Sequence, residues 1–129
     1  MVQKQLVVTL LLVFAGMSST ELELLSVSSN PQVVQHPVFS SLQGHRRVYL
    51  DIIGHNQDAD KLKIMAGAYP CEIIDKGVTP TSITCTTSKA DSSVSGQYQS
   101  IEVTSDGKTV KSTYPHVVIY NSGSTPTLK

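Results

Sequence analysis

The sequence after residue 20 predicts an all-β protein, a two-sheet β-sandwich of about seven strands. No long stretch of it shows sustained helical periodicity, and short apolar runs bounded by turn residues recur instead. The composition is rich in Ser, Thr and Val, and both Val and Thr favour the pleated surface of a sheet over a helix. The chain has 129 residues. If about the first 20 are a leader that is removed, the remaining residues are enough for one ordinary domain with one core.

The N-terminus predicts a secretory signal peptide over residues 1–20. Lys4 supplies a positive charge, residues 6–16 form an almost continuous apolar run, and small polar residues follow. The run is too short to cross a hydrocarbon core of about 30 Å comfortably as a helix. Cleavage is expected after Ser18 or after Thr20. A retained signal anchor and a buried core helix are the alternative interpretations.

The charge balance excludes several classes of partner. Ten basic residues match ten acidic ones, whereas a nucleic-acid surface needs a clear excess of Lys and Arg. The same balance argues against a polybasic membrane-surface domain. No segment after the predicted signal peptide resembles a transmembrane helix. We therefore expect a protein that is secreted or lies on the extracellular face of the cell surface.

In the N-terminal half, a first strand is predicted over residues 22–28 and the clearest strand over residues 48–54. The clearest strand places its apolar side chains on one face, as strand alternation requires: Val48, Leu50 and Ile52. Residues 31–46 contain two prolines and are ambiguous, although Val38 and Phe39 are expected to pack somewhere.

Short strands separated by turns continue along the C-terminal half. Strands are predicted at residues 62–66, 71–74, 82–86 and 98–104, and a last strand through Val110 and, after Tyr114-Pro115, over residues 117–120. Turns or loops are predicted at residues 55–60, 67–70, 75–80, 88–95 and 105–108. The last of these contains Asp106-Gly107, a pair that tolerates the positive φ of a tight hairpin.

The two cysteines, Cys71 and Cys85, are predicted to form a disulfide. In an oxidising compartment an even cysteine count with no competing thiol usually means a bridge. A redox pair or a metal site fits less well, because the spacing is not Cys-x-x-Cys and a two-thiolate zinc site needs two further ligands. Closing a loop of about 15 residues is worth roughly 3 kcal/mol in the chain-entropy model. Because the cysteines are close in sequence, we expect them to join neighbouring strands.

Short motifs in a fixed order resemble a known family. They are a Val-Ser-Pro-like start at 27–31, the strand ending in Gly54, the strand and turn before Pro70-Cys71, Thr-x-Ile-Thr-Cys at 81–85, Gly-x-Tyr at 96–98, the Asp106-Gly107 turn and apolar-x-Tyr at 118–120. This set resembles an IPT/TIG domain, the immunoglobulin-like module of plexins, hepatocyte-growth-factor-receptor relatives and fibrocystin-like proteins. The resemblance implies an immunoglobulin-like β-sandwich over residues 21–122, with residues 123–129 as a linker or C-terminal tail.

The chain departs from the family pattern at four places. Residues 43–46 replace a usual Gly-Gly turn, Gln57 stands where an aromatic residue is usual, and no Thr-Pro follows Cys85. Between Tyr98 and Val103 the alternation slips by one residue, which a β-bulge could absorb. These departures predict a divergent member of the family.

No catalytic residue, metal ligand or cofactor is predicted. The four histidines lack the close spacing of a helical zinc pair: His36, His45, His55 and His116. Asn56, Asp58 and Asp60 share one turn, but a calcium loop needs six or more oxygen ligands, so a polar strand connection is favoured. No Gly-x-Ser-x-Gly elbow and no phosphate-binding glycine loop occur.

These expectations indicate an extracellular, non-catalytic recognition or adhesion module, part of a cell-surface or tandem-repeat ectodomain. Its partners are expected to be proteins at the cell surface or in the extracellular matrix. The alternative is an accessory or carbohydrate-associated module of a secreted enzyme. The binding residues are unknown. The candidates are an edge strand and the loops near residues 55–60 and 88–96, which are expected at one end of the sandwich.

Overall fold

The computed structural model describes residues 21–30, 32 and 36–122. The predicted signal peptide at residues 1–20 and the predicted tail at residues 123–129 lie outside the described residues. The described part is all-β, as predicted, with nine strands and two short 3₁₀ helices, Ala59–Lys61 and Ser92–Val94. The strands are β1 Glu23–Ser28, β2 Val38–Ser41, β3 Arg47–Ile53, β4 Leu62–Ala66, β5 Tyr69–Thr79, β6 Ser82–Thr87, β7 Tyr98–Ser105, β8 Lys108–Lys111 and β9 Val117–Asn121.

The strands form two layers that share one strand. The first layer has the order β1-β3-β6-β5 and is antiparallel throughout. The second has the order β5-β4-β7-β9-β2, with β8 also paired to β7. Its outermost pair, β2 with β9, is parallel. Strand β5 passes from one layer to the other, because its first residues pair with β4 and the rest pair with β6.

Side chains that alternate along the strands fill the space between the layers. In β3 the fully buried residues are Val48, Leu50 and Ile52, as the alternation predicts. They belong to one continuous core with residues of the second layer, among them Ile64, Ile101, Val103, Val118 and Tyr120. Burying a side chain of this size stabilises the fold by about 1.5–3 kcal/mol. Among the described residues, the largest fully buried side chain is Tyr120, in a protein that has no tryptophan.

A disulfide joins Cys71 of β5 to Cys85 of β6, with the Cα atoms 5.4 Å apart. In the antiparallel register Cys85 pairs with Ile73, and Cys71 pairs with Thr87. The bridge therefore joins strands that are neighbours in the sequence and in the first layer. Both cysteines are buried in the core, where β5 bends toward the second layer.

The turn predicted at residues 75–80 is wrong, because β5 continues to Thr79. The pairing of β5 with β6 shifts register between Ile73 and Val78, so that four residues of β5 lie opposite one residue of β6 in an enlarged bulge. Lys76 has a φ of 60°, and a Cβ on Gly77 would lie 2.8 Å from the Thr84 carbonyl oxygen. A bulge and a turn use the same residue types, since both need a bent backbone and often a positive φ.

Two smaller expectations also differ from the structure. The turn predicted at residues 67–70 is shorter, because Tyr69 and Pro70 already pair with β4. The slip in alternation along β7 is not a bulge, since the strand keeps its register with both β4 and β9. Tyr98 instead lies on the outward face of the strand and is 55% exposed.

The predicted last strand is divided in two. β8 pairs with the C-terminal half of β7, and β9 pairs with the N-terminal half of the same strand. Residues 112–116 between them, which we call the excursion, leave the line of the strand. It starts at Ser112, whose N–H donates to the Ile101 carbonyl at 2.8 Å and whose Oγ accepts from the Ile101 N–H at 2.8 Å.

Candidate binding surfaces

The four histidines do not form a common site. His36 and His116 lie together, with ring centroids 4.5 Å apart. His45 is exposed in the connection between β2 and β3. His55 is buried, with its Nε2 2.7 Å from the Thr79 carbonyl oxygen. Among the described residues, no three His, Cys, Asp or Glu side chains converge in a way that could hold a metal ion.

One of these histidines connects the two layers. His116 lies in the excursion, and its Nδ1 accepts a hydrogen bond from the backbone N–H of Val27 at 3.3 Å. Val27 belongs to β1 in the first layer, whereas the excursion belongs to the second. The bond therefore closes one side of the sandwich.

The polar turn after β3 is ordered by hydrogen bonds among its own residues. The Asp58 N–H donates to Asn56 Oδ1 at 2.8 Å. The Asp60 N–H donates to the Asp58 carboxylate at 3.0 Å, which caps the 3₁₀ helix Ala59–Lys61. The Asn56 amide donates to the Asp106 carboxylate at 3.1 Å. These side chains act as a polar strand connection and link the turn to the β7–β8 hairpin.

The loops near residues 55–60 and 88–96 lie at opposite ends of the sandwich, so the expectation that they share one end is wrong. The first is bonded to the β7–β8 turn, beyond the C-terminal end of β7. The second leads into the N-terminal end of that strand. β7 has eight residues. Because a strand rises about 3.4 Å per residue, roughly 24 Å separates the two loops.

The described chain enters the sandwich at one of these ends and leaves it at the other. β1 starts beside the turn after β3, where Glu23 pairs with Ile53. β9 finishes beside the loop before β7, where the Gly96 N–H donates to the Tyr120 carbonyl at 2.7 Å. We call these two regions the entry end and the exit end.

At the exit end, one carboxylate orders the loop before β7. Asp91 accepts hydrogen bonds from the hydroxyl of Ser93 and from its N–H, the latter at 3.2 Å, and caps the 3₁₀ helix Ser92–Val94. These hydrogen bonds hold the pKa of Asp91 below its ordinary value. The folded loop therefore favours the charged form of this exposed side chain.

An aromatic surface is exposed on the outer face of the second layer. Phe39 of β2 pairs with Ile119 of β9, which in turn pairs with Tyr98 of β7, so the three side chains form a row across the sheet. Tyr114 of the excursion packs on Tyr98, with ring centroids 5.7 Å apart and planes tilted by 49°. We call these four residues the aromatic face. Phe39, Tyr98 and Tyr114 are each more than half exposed.

A groove lies beside Tyr98 on the same face. Its volume is about 530 Å³, and it is lined by Gly67, Tyr98, Gln99, Ser100, Glu102 and Lys111. Glu102 and Lys111 are partners across the β7–β8 pair. Within the described part of the chain, neither of their charged groups takes part in an ion pair or hydrogen bond.

Sequence reasoning missed this surface, although part of its signal was present. The alternation of β7 puts Tyr98, Ser100 and Glu102 opposite the buried Ile101 and Val103. The rest of the surface depends on long-range pairing of the unplaced segment that became β2, and on the excursion. No local pattern in the sequence brings either of these next to β7.

No protein-family model matches the sequence, and no curated protein matches it. Within the described ranges of the chain, no helix has the length and apolar character needed to span a membrane.

Solved structures of the plexin A4 full extracellular region do match. One, containing domains 1 to 10, superposes with a TM-score of 0.56 at 18% identity over 80% of this chain. Another, with domains 1 to 8 built, gives a TM-score of 0.55 at 18% identity over 78% of this chain. The chain spans only 7% and 8% of the length of those chains. The likeness shows the fold, an all-β, immunoglobulin-like sandwich.

Proposed function

We propose that this chain is an extracellular recognition or adhesion module of the IPT/TIG type. Residues 1–20 are a cleaved signal peptide, residues 21–122 form the domain, and residues 123–129 are a linker or C-terminal tail. The observation that carries the proposal is the likeness of the fold to part of the plexin A4 extracellular region. The buried disulfide between Cys71 and Cys85 supports an oxidising compartment, because such bridges rarely persist in the cytosol.

The positions of the two ends support a place in a series of modules. Because the entry end and the exit end are opposite, successive domains of this kind would extend in line and not fold back on one another. A module in such a series separates its neighbours and offers its sides to partners. The partners that we propose are proteins of the cell surface or the extracellular matrix, and the domain itself carries out no catalysis.

The compartment can be tested by expressing the full chain in mammalian cells and analysing the protein in the medium. We expect a mature N-terminus after Ser18 or Thr20 and an intact mass lower than that of the reduced protein by the two thiol hydrogens. A control variant, Leu11→Arg, interrupts the apolar run and should remain inside the cell. Retention of the native chain in the cytosol, or two free thiols in the secreted protein, would contradict the proposal.

Recognition can be tested by coupling the mature protein to beads in many copies, which strengthens weak contacts through avidity. We expect the beads to bind cultured cells, and trypsin treatment of the cells to abolish the binding. Beads that carry reduced and alkylated protein are the control. Failure to bind any of a broad panel of cell types and matrix proteins would argue against an adhesion role.

A further inference from the structure

We propose that the groove beside Tyr98 binds an uncharged glycan. This inference goes beyond the protein recognition proposed above, because it depends only on the outer face of the second layer. Three features support it: the shape of the groove, the aromatic rings in it and beside it, and its polar lining.

The groove is built on β7 and is bounded by β8 and by the turn after β4. The floor of the groove is the outward side of β7, where Tyr98, Ser100 and Glu102 follow one another at alternate positions. On one side the groove is bounded by Lys111 of β8, and Tyr114 of the excursion packs on Tyr98 next to the groove without lining it. On the other side the groove is bounded by Gly67, whose N–H donates to the Ser100 carbonyl at 3.0 Å. Its volume of about 530 Å³ is within the range of small-ligand sites.

The aromatic rings provide surfaces on which sugar rings can stack. A pyranose ring presents C–H groups on its faces and hydroxyl groups around its rim, so it packs on an aromatic ring while its rim forms hydrogen bonds. Tyr98 and Tyr114 are exposed by 55% and 60%, and their planes meet at 49°. Two rings tilted in this way match successive sugar units of a twisted oligosaccharide better than they match a flat polysaccharide surface.

The polar lining offers donors and acceptors to hydroxyl groups. It contains the Ser100 hydroxyl, the Gln99 amide, the Glu102 carboxylate and the Lys111 ammonium. The Gln99 amide lies directly against Gly67, in the space that a side chain at residue 67 would occupy. Because the described residues leave Glu102 and Lys111 without ion-pair partners, both charged groups are available to a ligand.

The charge of the lining argues for an uncharged ligand. One carboxylate and one ammonium cancel, so the groove has no surplus of cations for a sulfated or sialylated glycan. A protein partner that covers the whole aromatic face is distinguishable from such a ligand by its contacts. Such a partner would contact Phe39, which lies two strands from Tyr98 and does not line the groove.

The test is an NMR titration of the secreted, folded protein with uncharged oligosaccharides: chitotetraose, cellotetraose and N-acetyllactosamine. Sialyllactose and a heparin tetrasaccharide are the charged comparisons. We expect millimolar binding of at least one uncharged probe, with shifts centred on the amides of Tyr98, Ser100 and Glu102. Tyr98→Ala and Tyr114→Ala should each weaken this binding about tenfold, the worth of one aromatic contact.

Two exposed residues outside the groove supply matched controls. Phe39→Ala tests the rest of the aromatic face, and Leu25→Ala removes an equally exposed side chain, 51% accessible, from the first layer. Both variants should keep the affinity of the native protein. Because every substituted side chain is exposed, the melting temperatures should stay close to the native value, which separates lost binding from lost folding.

Several results would overturn the glycan site. They are the absence of shifts with every uncharged probe at millimolar concentration, binding of the charged probes alone, or native affinity in both tyrosine variants. Loss of bead binding to cells in Phe39→Ala, without any glycan binding, would identify the face as a protein-docking surface instead. The cell-binding test is independent of these titrations, so the failure of one proposal can be told from the failure of the other.

Discussion

At the residue scale, Tyr120 combines the largest fully buried side chain with a hydroxyl that has no hydrogen-bond partner among the described residues. Burial, and to a smaller extent the neighbouring Tyr69, raises the pKa of Tyr120 to about 12. The two rings meet edge to face with centroids 5.9 Å apart. The folded protein therefore favours the neutral phenol. An unpaired buried hydroxyl also lowers the free energy of unfolding.

We predict that Tyr120→Phe raises the free energy of unfolding by about 1 kcal/mol at neutral pH, since it keeps the ring and removes the unpaired hydroxyl. Urea denaturation measures the change, and Tyr98→Phe, at an exposed position, should leave stability unaltered. A less stable Tyr120→Phe variant would show that the hydroxyl has a favourable partner.

The same residue predicts a pH dependence at alkaline pH. The pKa of Tyr120 is higher in the folded protein than the ordinary value of about 10, so folding favours the neutral phenol over the phenolate. The contribution of this preference to the free energy of unfolding is fully present below pH 10. That contribution is lost as the pH rises from 10 through about 12. Tyr120→Phe lacks this group, so its denaturation midpoint should fall less steeply over that range than the midpoint of the native protein. Identical slopes would contradict the raised pKa.

At this scale the role of Gly54 could be predicted from the sequence, whereas the conformation of Lys76 could not. Gly54 was expected to end a strand, and the structure gives the reason: its φ is 80°, and the Glu21 backbone lies where a side chain would point. Lys76 also has a positive φ, of 60°. Lysine carries no preference for that conformation, so the sequence could not distinguish a bulge there from a turn.

At the element scale, the β5–β6 hairpin carries the disulfide, and its stabilising effect can be measured directly. The double variant Cys71→Ser, Cys85→Ser should lower the free energy of unfolding by about 3 kcal/mol, because the unfolded chain regains the freedom of a loop of about 15 residues. Urea denaturation in non-reducing buffer gives the value. Native protein in a strong reductant should behave like the variant, whereas unchanged midpoints in both would rule out a stabilising bridge.

The elements differ in how well the sequence could predict them. β3 and β6 were predicted closely, because strict alternation between Val48 and Ile52, and again around Ile83 and Cys85, is a local signal. β2 could not be predicted, since its four residues pair with β9 about 80 positions away. The division of β8 from β9 was missed for the same reason. Both strands line one edge of β7, and the sequence does not show where the excursion leaves that edge.

At the scale of the whole molecule, the bond between His116 and Val27 closes one side of the sandwich. We predict that His116→Ala lowers the free energy of unfolding by about 1 kcal/mol, because the Val27 N–H loses its acceptor. Hydrogen exchange at the Val27 amide should become faster in this variant, because the amide no longer has to break that hydrogen bond before it exchanges. His36→Ala retains the acceptor and is the control. Unaltered exchange at Val27 in His116→Ala would show that the bond does not hold the layers together.

The overall architecture was predictable because fold class depends on the kind of periodicity, and this chain alternates with a period of two along most of its strands. The candidate site was not predictable to the same degree. Tyr98, Tyr114 and Phe39 come from three separate parts of the sequence and meet only through the order of strands in the second layer. Surfaces built in this way become visible only when the topology is known.

The opposite positions of the entry end and the exit end also determine how the domain would respond to tension. A force that draws the two ends apart pulls β1 toward the entry end and β9 toward the exit end. Since β2 and β9 run parallel, this force shears their hydrogen bonds together and does not unzip them singly. Resistance to such a load depends on the rate of unfolding, so the pairs that hold the two terminal strands, β1 with β3 and β9 with β2 and β7, would decide when the domain yields. All of these pairs lie outside the disulfide loop.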